Sequence, residues 1–178
     1  MSFLQKIALI GLASLALSGC GSSSSGPTPD SYVFPAGKAT LAFSAISTAT
    51  LPASISGIDF DITLPPGITV ATAGGASGAI ETASVQPGAG LSGTNLAFGS
   101  YSTSTGKTRL SMATTSGSYR AGEFLRLACT IAPGTAITLG SLKAMNTPVT
   151  IVKAVGYDSA TQDTVALTGN VKILLSVP

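Results

Sequence analysis

The stretch Ile55-Ser-Gly-Ile-Asp-Phe-Asp-Ile-Thr-Leu-Pro-Pro-Gly-Ile-Thr-Val70 decides the fold. From Ile58 to Leu64 it alternates without a break. Ile58, Phe60, Ile62 and Leu64 fall on one side, and Asp59, Asp61 and Thr63 on the other. Side chains on a strand repeat every two residues, so the pattern predicts a half-buried β-strand with a dry face and a wet face. Pro65-Pro66-Gly67 ends the strand, because proline cannot donate to a ladder and glycine accepts the turn.

The same signal recurs on both sides of this strand. Lys38–Ser44 places Leu41 and Phe43 inward, and Thr94–Tyr101 does the same with Leu96 and Phe98. Ser102–Lys107 reads as a hairpin turn leading into Arg109–Met112, with Leu110 and Met112 inward. Glu123–Ala132 is the longest alternation of the second half, and Cys129 falls in phase with Leu125, Leu127 and Ile131. Shorter strands are expected at Ala136–Leu139, Val149–Ile151, Thr164–Leu167 and Val171–Val177. The last two are joined by Gly169-Asn170 in the manner of a two-residue hairpin. Ala71–Gly93, rich in Gly, Ala and Ser, reads as a long loop, and Thr115–Gly122 as a shorter polar one carrying Tyr119 and Arg120. No window of ten residues beyond the N-terminal region shows a helical period. Nine or ten short strands with two faces of opposite character predict an all-β fold: a two-sheet antiparallel β-sandwich with Greek-key or jelly-roll connections.

The N-terminal region is of another kind. Residues 1–19 hold one charge, Lys6, then an apolar run from Ile7 to Ser18 that is shorter than the roughly 20 residues a membrane-spanning helix needs. A charged start, a short apolar core and small residues at its end make a secretion signal. It closes Leu17-Ser18-Gly19-Cys20, which resembles the bacterial lipobox residue for residue. The resemblance implies cleavage before Cys20 and lipid modification of that cysteine, hence anchoring to a membrane. Gly21 after the cysteine resembles the Gram-negative lipoproteins sent to the outer membrane, so a lipid-anchored place in the cell envelope is expected. Residues 20–31 then form a Ser/Gly/Pro tether with too little apolar content for a core, expected to be disordered. Residues 32–178 suit one domain.

Charged residues make up only 9% of the chain. Removing Lys6 with the signal leaves eight basic and seven acidic residues, a net charge of +1. Nothing in this balance attracts nucleic acid.

The order of the pieces in Tyr32–Ile173 resembles the cohesin modules of bacterial surface and cellulosomal proteins and the related carbohydrate-binding superfamily. The resembling stretches are Phe34-Pro-Ala-Gly-Lys-Ala-Thr-Leu41, Ile55–Ile62, the loop ending Gly88-Ala-Gly90, the Leu96/Phe98 strand, the Gly106-Lys107 hairpin and Gly122–Leu127. Leu64-Pro-Pro-Gly67 stands where cohesins usually carry a Tyr-Asp-Pro turn. The resemblance implies a jelly-roll sandwich that binds a partner through an exposed sheet face. In cohesins that partner is a dockerin, a small calcium-binding helical module.

Chemistry finds little support. The chain has no histidine, which removes the usual general base and the commonest metal ligand. Asp59 and Asp61 are the one close carboxylate pair, about 6.6–6.8 Å apart at Cα on one strand face, and read as solvated acids rather than a glycosidase pair. Asp158 and Asp163 flank Ser-Ala-Thr-Gln, a polar turn without the dense acidic pattern of a calcium loop. Cys129 reads as a small buried hydrophobe. With no tryptophan, a polysaccharide platform would fall to tyrosines, and Tyr101 with Tyr119 is the candidate pair, capping of the sandwich edge being the plainer reading. The expectation is a noncatalytic binding or assembly module of cohesin-like type without cofactor or metal, its candidate surface Tyr101, Tyr119, Asp59 and Asp61. The alternative is a carbohydrate-binding module for a surface or extracellular polysaccharide.

Overall fold

A computed structural model describes residues 27–74 and 77–178; the leader, Cys20 and the tether through Gly26 lie outside the described residues. Eleven strands are described: β1 (Gly37–Ser47), β2 (Ser54–Thr63), β3 (Ile68–Thr69), β4 (Ser77–Ala79), β5 (Val85–Pro87), β6 (Asn95–Ser102), β7 (Lys107–Thr114), β8 (Gly122–Ile131), β9 (Thr150–Asp158), β10 (Asp163–Ala166) and β11 (Val171–Ser176). One short helix, α1 (Leu139–Met145), joins β8 to β9. Two antiparallel sheets pack face to face. One runs β11-β1-β8, with β3 and β5 sharing the far side of β8; the other runs β10-β9-β2-β7-β6-β4. The all-β sandwich read from the alternation is the fold.

β2 lies near the middle of the six-stranded sheet, between β9 and β7. Ile58, Phe60 and Ile62 are buried, and Asp59 and Asp61 lie on the outer face. Phe60 meets Phe43 of β1 at 5.0 Å and Phe124 of β8 at 5.6 Å, so its ring spans the gap between the sheets. Phe124 and Leu125 are both buried although adjacent. The β1–β8 register shifts between Phe43 and Ser44 and leaves Phe124 as the extra residue, and a bulge of this kind turns two successive side chains the same way.

Four expectations need correction. Leu96 and Phe98 do not point inward: they are 59% and 52% exposed, while Ala97 and Tyr101 are buried. The inner side of β6 is crowded, since a Cβ on Gly99 would come within 2.8 Å of the Leu110 side chain and 3.1 Å of Ile80. No side chain fits at Gly99, so this phase of the strand, with Tyr101 beyond it, faces inward and the bulky pair goes outside. Leu139 begins α1 instead of ending a strand. The Thr138 hydroxyl accepts from the Ser141 N–H at 3.0 Å and the Ser141 hydroxyl accepts from the Thr138 N–H at 3.2 Å, a capping box that starts a helix too short to show a period. β10 and β11 do not form a hairpin. β10 pairs with β9, β11 pairs with β1 in the other sheet, and a single 3₁₀ turn at Thr168–Asn170 carries the chain across. Finally, the Ala71–Gly93 stretch contributes the edge strands β4 and β5.

The last residues of the expected tether touch the domain. The Thr28 hydroxyl donates to the Val177 carbonyl at 3.4 Å, and Asp30 pairs with Lys143 of α1 at 2.7 Å.

Candidate functional site on the outer face of the six-stranded sheet

The registers of β6, β7, β2 and β9 set out this face row by row. Ser100, Arg109, Asp61 and Thr150 form one row; Phe98, Ser111, Asp59 and Lys153 the next; Leu96, Ala113, Gly57 and Val155 the third. Alternation along each strand places these positions on the outer face, where Ser111 is buried beneath its neighbours. At the Arg109 row the face is polar and locked. Arg109 Nε and Nη2 donate to the two Asp61 carboxylate oxygens at 2.7 and 2.8 Å, a bidentate pair. The Arg109 hydrogen bond, outweighing the opposing effect of burial, holds the Asp61 carboxyl below the usual carboxylate range.

The third row is apolar, and the second joins Phe98 to Ser111, Asp59 and Lys153. Leu96 and Phe98 stand out from β6, Val155 lies on β9, and between them the surface sinks into a shallow depression of about 160 Å³. Gly57 lies in that depression. A Cβ at this position would sit 3.2 Å from Val155 Cγ2 and 3.5 Å from the Met112 carbonyl, so the missing side chain is what keeps the hollow open. The β2–β9 register shifts between Ile55 and Gly57, which lets β2 present Ile55 inward and Gly57 outward in quick succession. Asp59 and Lys153, directly opposite each other, form the charged rim beside Phe98. The hollow therefore has apolar groups around it and charges at its border.

Of the residues singled out from the sequence, Asp59 and Asp61 belong to this face. Asp59 borders the hollow and Asp61 is engaged by Arg109. Tyr101 and Tyr119 do not belong to it. They are 4% and 3% exposed and offer no ring face to a sugar. The Tyr101 hydroxyl donates to the Ile68 carbonyl at 3.3 Å, and the Tyr119 hydroxyl to the Gly122 carbonyl at 2.7 Å. Nor are they a pair, since Tyr101 lies opposite Thr108 at the start of β7 and Tyr119 follows the end of that strand, about 20 Å of strand apart. Both cap the sandwich from inside. Asp158 and Asp163 face each other across β9 and β10; the Ala160 N–H donates to Asp158 Oδ1 at 2.9 Å and holds that carboxyl below its usual range. Among the described residues no group of three or more Asp, Glu, Cys or His comes together. Cys129 is buried and free, and Cys20 lies outside the described residues.

Leu96, Phe98, Gly57 and Val155 escaped sequence reading as surface residues. The one available signal was the competing phase Ala97, Gly99, Tyr101 on the same strand. No family model matches the chain, and no curated protein and no solved structure matches it.

Proposed function

We propose that the protein is a noncatalytic, lipid-anchored binding module of cohesin-like type, held at the cell envelope by Cys20 and presenting the outer face of its six-stranded sheet to a protein partner. The observation that carries this reading is the exposed Leu96/Phe98 pair beside the Gly57 hollow. Two large apolar side chains left half out of a sheet, next to a depression kept open by a glycine, cost solubility unless something covers them. The Asp59–Lys153 rim supplies orientation, and the bidentate Asp61–Arg109 pair stiffens the neighbouring row. The lipobox supports the anchor, and Gly21 supports delivery to an outer membrane. Burial of Tyr101 and Tyr119 removes the aromatic platform on which the polysaccharide alternative relied, so a protein partner is the preferred reading.

The test is capture from the secreted and envelope proteins of the source cell, using the mature chain and a Leu96→Asp/Phe98→Asp variant whose melting midpoint is unchanged. The expected outcome is a protein retained by the natural chain and lost, by about tenfold or more, by the variant. Equal recovery on both chains removes this face from the function.

A further inference from the structure

On one flank of the sandwich both sheets end in an open edge. β11 pairs with β1 on one side and, among the described residues, with no strand on the other. β10 covers β9 only from Val155 to Asp158, which leaves the first half of β9 open on the same flank. Between the two edges lies a cleft of about 670 Å³, with Val149 and Ile151 on the β9 side. That size falls in the range of about 300–1,000 Å³ usual for ligand sites.

All six residues of β11, Val171–Ser176, line the cleft. Successive side chains of a strand point to opposite faces of its sheet. Here Val171, Ile173 and Leu175 are buried, while Lys172 and Leu174 are exposed. A cleft that touches both phases runs along the edge of the strand, where the unpaired N–H and C=O groups are. Such an edge is a template for another extended backbone. The layers also leave room for one. Phe43 of β1 packs on Phe60 of β2, so β11, next to β1, and β9, next to β2, end the two layers on one flank. Beyond β9 comes β10, whereas among the described residues no strand follows β11.

The chemistry of the cleft narrows what fills it. Its walls are largely aliphatic and no carboxylate lines it among the described residues. Lys172 stands at its border and forms no ion pair among those residues, whereas Lys143, on the α1 side, is held by Asp30 at 2.7 Å. A second copy of the chain would bring the same lysines and no acid to this edge, and like charges oppose such pairing. A free aliphatic chain would fill the walls but leave the edge of β11 without a strand partner. A peptide strand that carries an acid answers the edge, the walls and the charge together.

We propose that the cleft takes an extended peptide segment of a protein partner, added antiparallel to β11, with aliphatic side chains turned toward Val149 and Ile151 and an acidic side chain opposite Lys172. Opposite Leu174, which is 53% exposed, the segment carries an apolar residue. Backbone bonds give the affinity, and Lys172 and Leu174 give the sequence preference. This surface belongs to the other sheet from the Leu96/Phe98 face and does not depend on it.

The test uses the mature chain and a fluorescein-labelled peptide, Thr-Val-Leu-Val-Glu-Val amide, followed by fluorescence anisotropy. Saturable binding is expected, weakened about fivefold when the glutamate is replaced by lysine. Lys172→Glu, an exposed change checked for an unaltered melting midpoint, is expected to reverse that order. Two further peptides are N-methylated at alternate residues. One is expected to bind like the parent and the other about tenfold or more weakly, because only one set of amides faces the edge. The Leu96→Asp/Phe98→Asp chain is expected to bind the peptide like the natural chain, so the two surfaces stand or fall separately. No saturable binding, or equal binding of both N-methylated peptides, overturns the added strand. A preference for glutamate that survives Lys172→Glu overturns the site. A cleft that binds a fluorescent long-chain fatty acid and not the peptide belongs to lipid, and a dimer in sedimentation that excludes the peptide gives the edge to a second copy; either result overturns the proposal.

Discussion

Cys129 is 4% exposed, its thiol faces the Ala39 carbonyl at 3.6 Å, and burial pushes its pKa up to about 11. The reactive form of a cysteine is the thiolate, so at pH 8 the folded protein holds almost none of it. Iodoacetamide labelling at that pH is expected to be about a hundredfold slower in the native protein than in urea; comparable rates would show an open or electropositive site. The raised value also sets a sign for stability. The folded state keeps a proton that the unfolded thiol loses near 9.0, so this contribution is fully present below pH 9.0 and is lost as pH rises toward 11. At this scale the sequence was a good guide where phase alone decided. Cys129 sat between Leu127 and Ile131 in one alternation, and burial followed. At Tyr101 and Tyr119 it left two roles open, a ligand platform and, more plainly, a cap on the sandwich edge, and burial agrees with the cap. Which one a tyrosine takes depends on whether a backbone carbonyl, here Ile68 or Gly122, waits for its hydroxyl.

β2 owes its sharp end to a partner far along the chain. Beyond Asp61 the β9 ladder stops, and the Asn146 side chain takes over: its Oδ1 accepts from the Thr63 N–H at 2.7 Å and its Nδ2 donates to the Thr63 carbonyl at 2.9 Å. Asn146 stands in for a strand residue while also donating to Leu142 at the end of α1. Asn146→Ala leaves both Thr63 groups without that partner, and is expected to destabilise the protein by about 1–3 kcal/mol in denaturant titration. A change within error would show that water replaces the amide freely. On the outer face of the same strand, Asp61 gives an acid-side prediction. Its carboxyl is held below the ordinary aspartate value of 3.8, so the stability it contributes is present above that pH and lost as pH falls through the depressed folded value. Because the pair is largely exposed the effect is small and screened by salt. Asp61→Asn is expected to flatten the fall of the melting midpoint below pH 4, and more so at low ionic strength; an unaltered acid limb would mean that Asp61–Arg109 contributes nothing. Elements were legible where one phase was apolar and the other polar, as in β2, and illegible where both phases were apolar. β6 offered Leu96/Phe98 against Ala97/Tyr101, and the choice was made by Leu110 of β7 and by Ile80, just after β4. The short α1 was hidden for a different reason, since its two buried residues, Leu139 and Leu142, amount to less than one amphipathic repeat.

For the whole molecule, the sandwich class followed from counting alternations, whereas sheet membership did not. The Gly169-Asn170 turn has hairpin chemistry, yet it passes the chain between sheets, because a turn cannot register which sheet needs another edge. What makes the two sheets one body is a set of cross-links at the centre and at both ends. The Phe43, Phe60 and Phe124 rings meet in the middle. Tyr101 of β6 bonds to Ile68 of β3 at one end. At the other, the loop after β7 bonds to both sheets, the Ile55 N–H donating to the Tyr119 carbonyl and the Ser47 hydroxyl to the Arg120 carbonyl. A domain of this size with one continuous core should unfold in a single step. Phe60→Ala tests that claim at its centre. Removing a ring that is 0% exposed and touches both sheets is expected to cost about 3–5 kcal/mol, which lowers the melting midpoint by roughly 10 °C. The chain has no tryptophan, so tyrosine fluorescence, with Tyr101 and Tyr119 buried at the two ends, reports tertiary packing while far-ultraviolet dichroism reports the strands. Both signals are expected to move together in the natural chain and to shift by the same amount in Phe60→Ala. If the dichroism midpoint stayed while the fluorescence midpoint fell, the sheets would be separable units and the Phe60 contacts a local feature. If neither moved, Phe60 would not be at the centre of the sandwich.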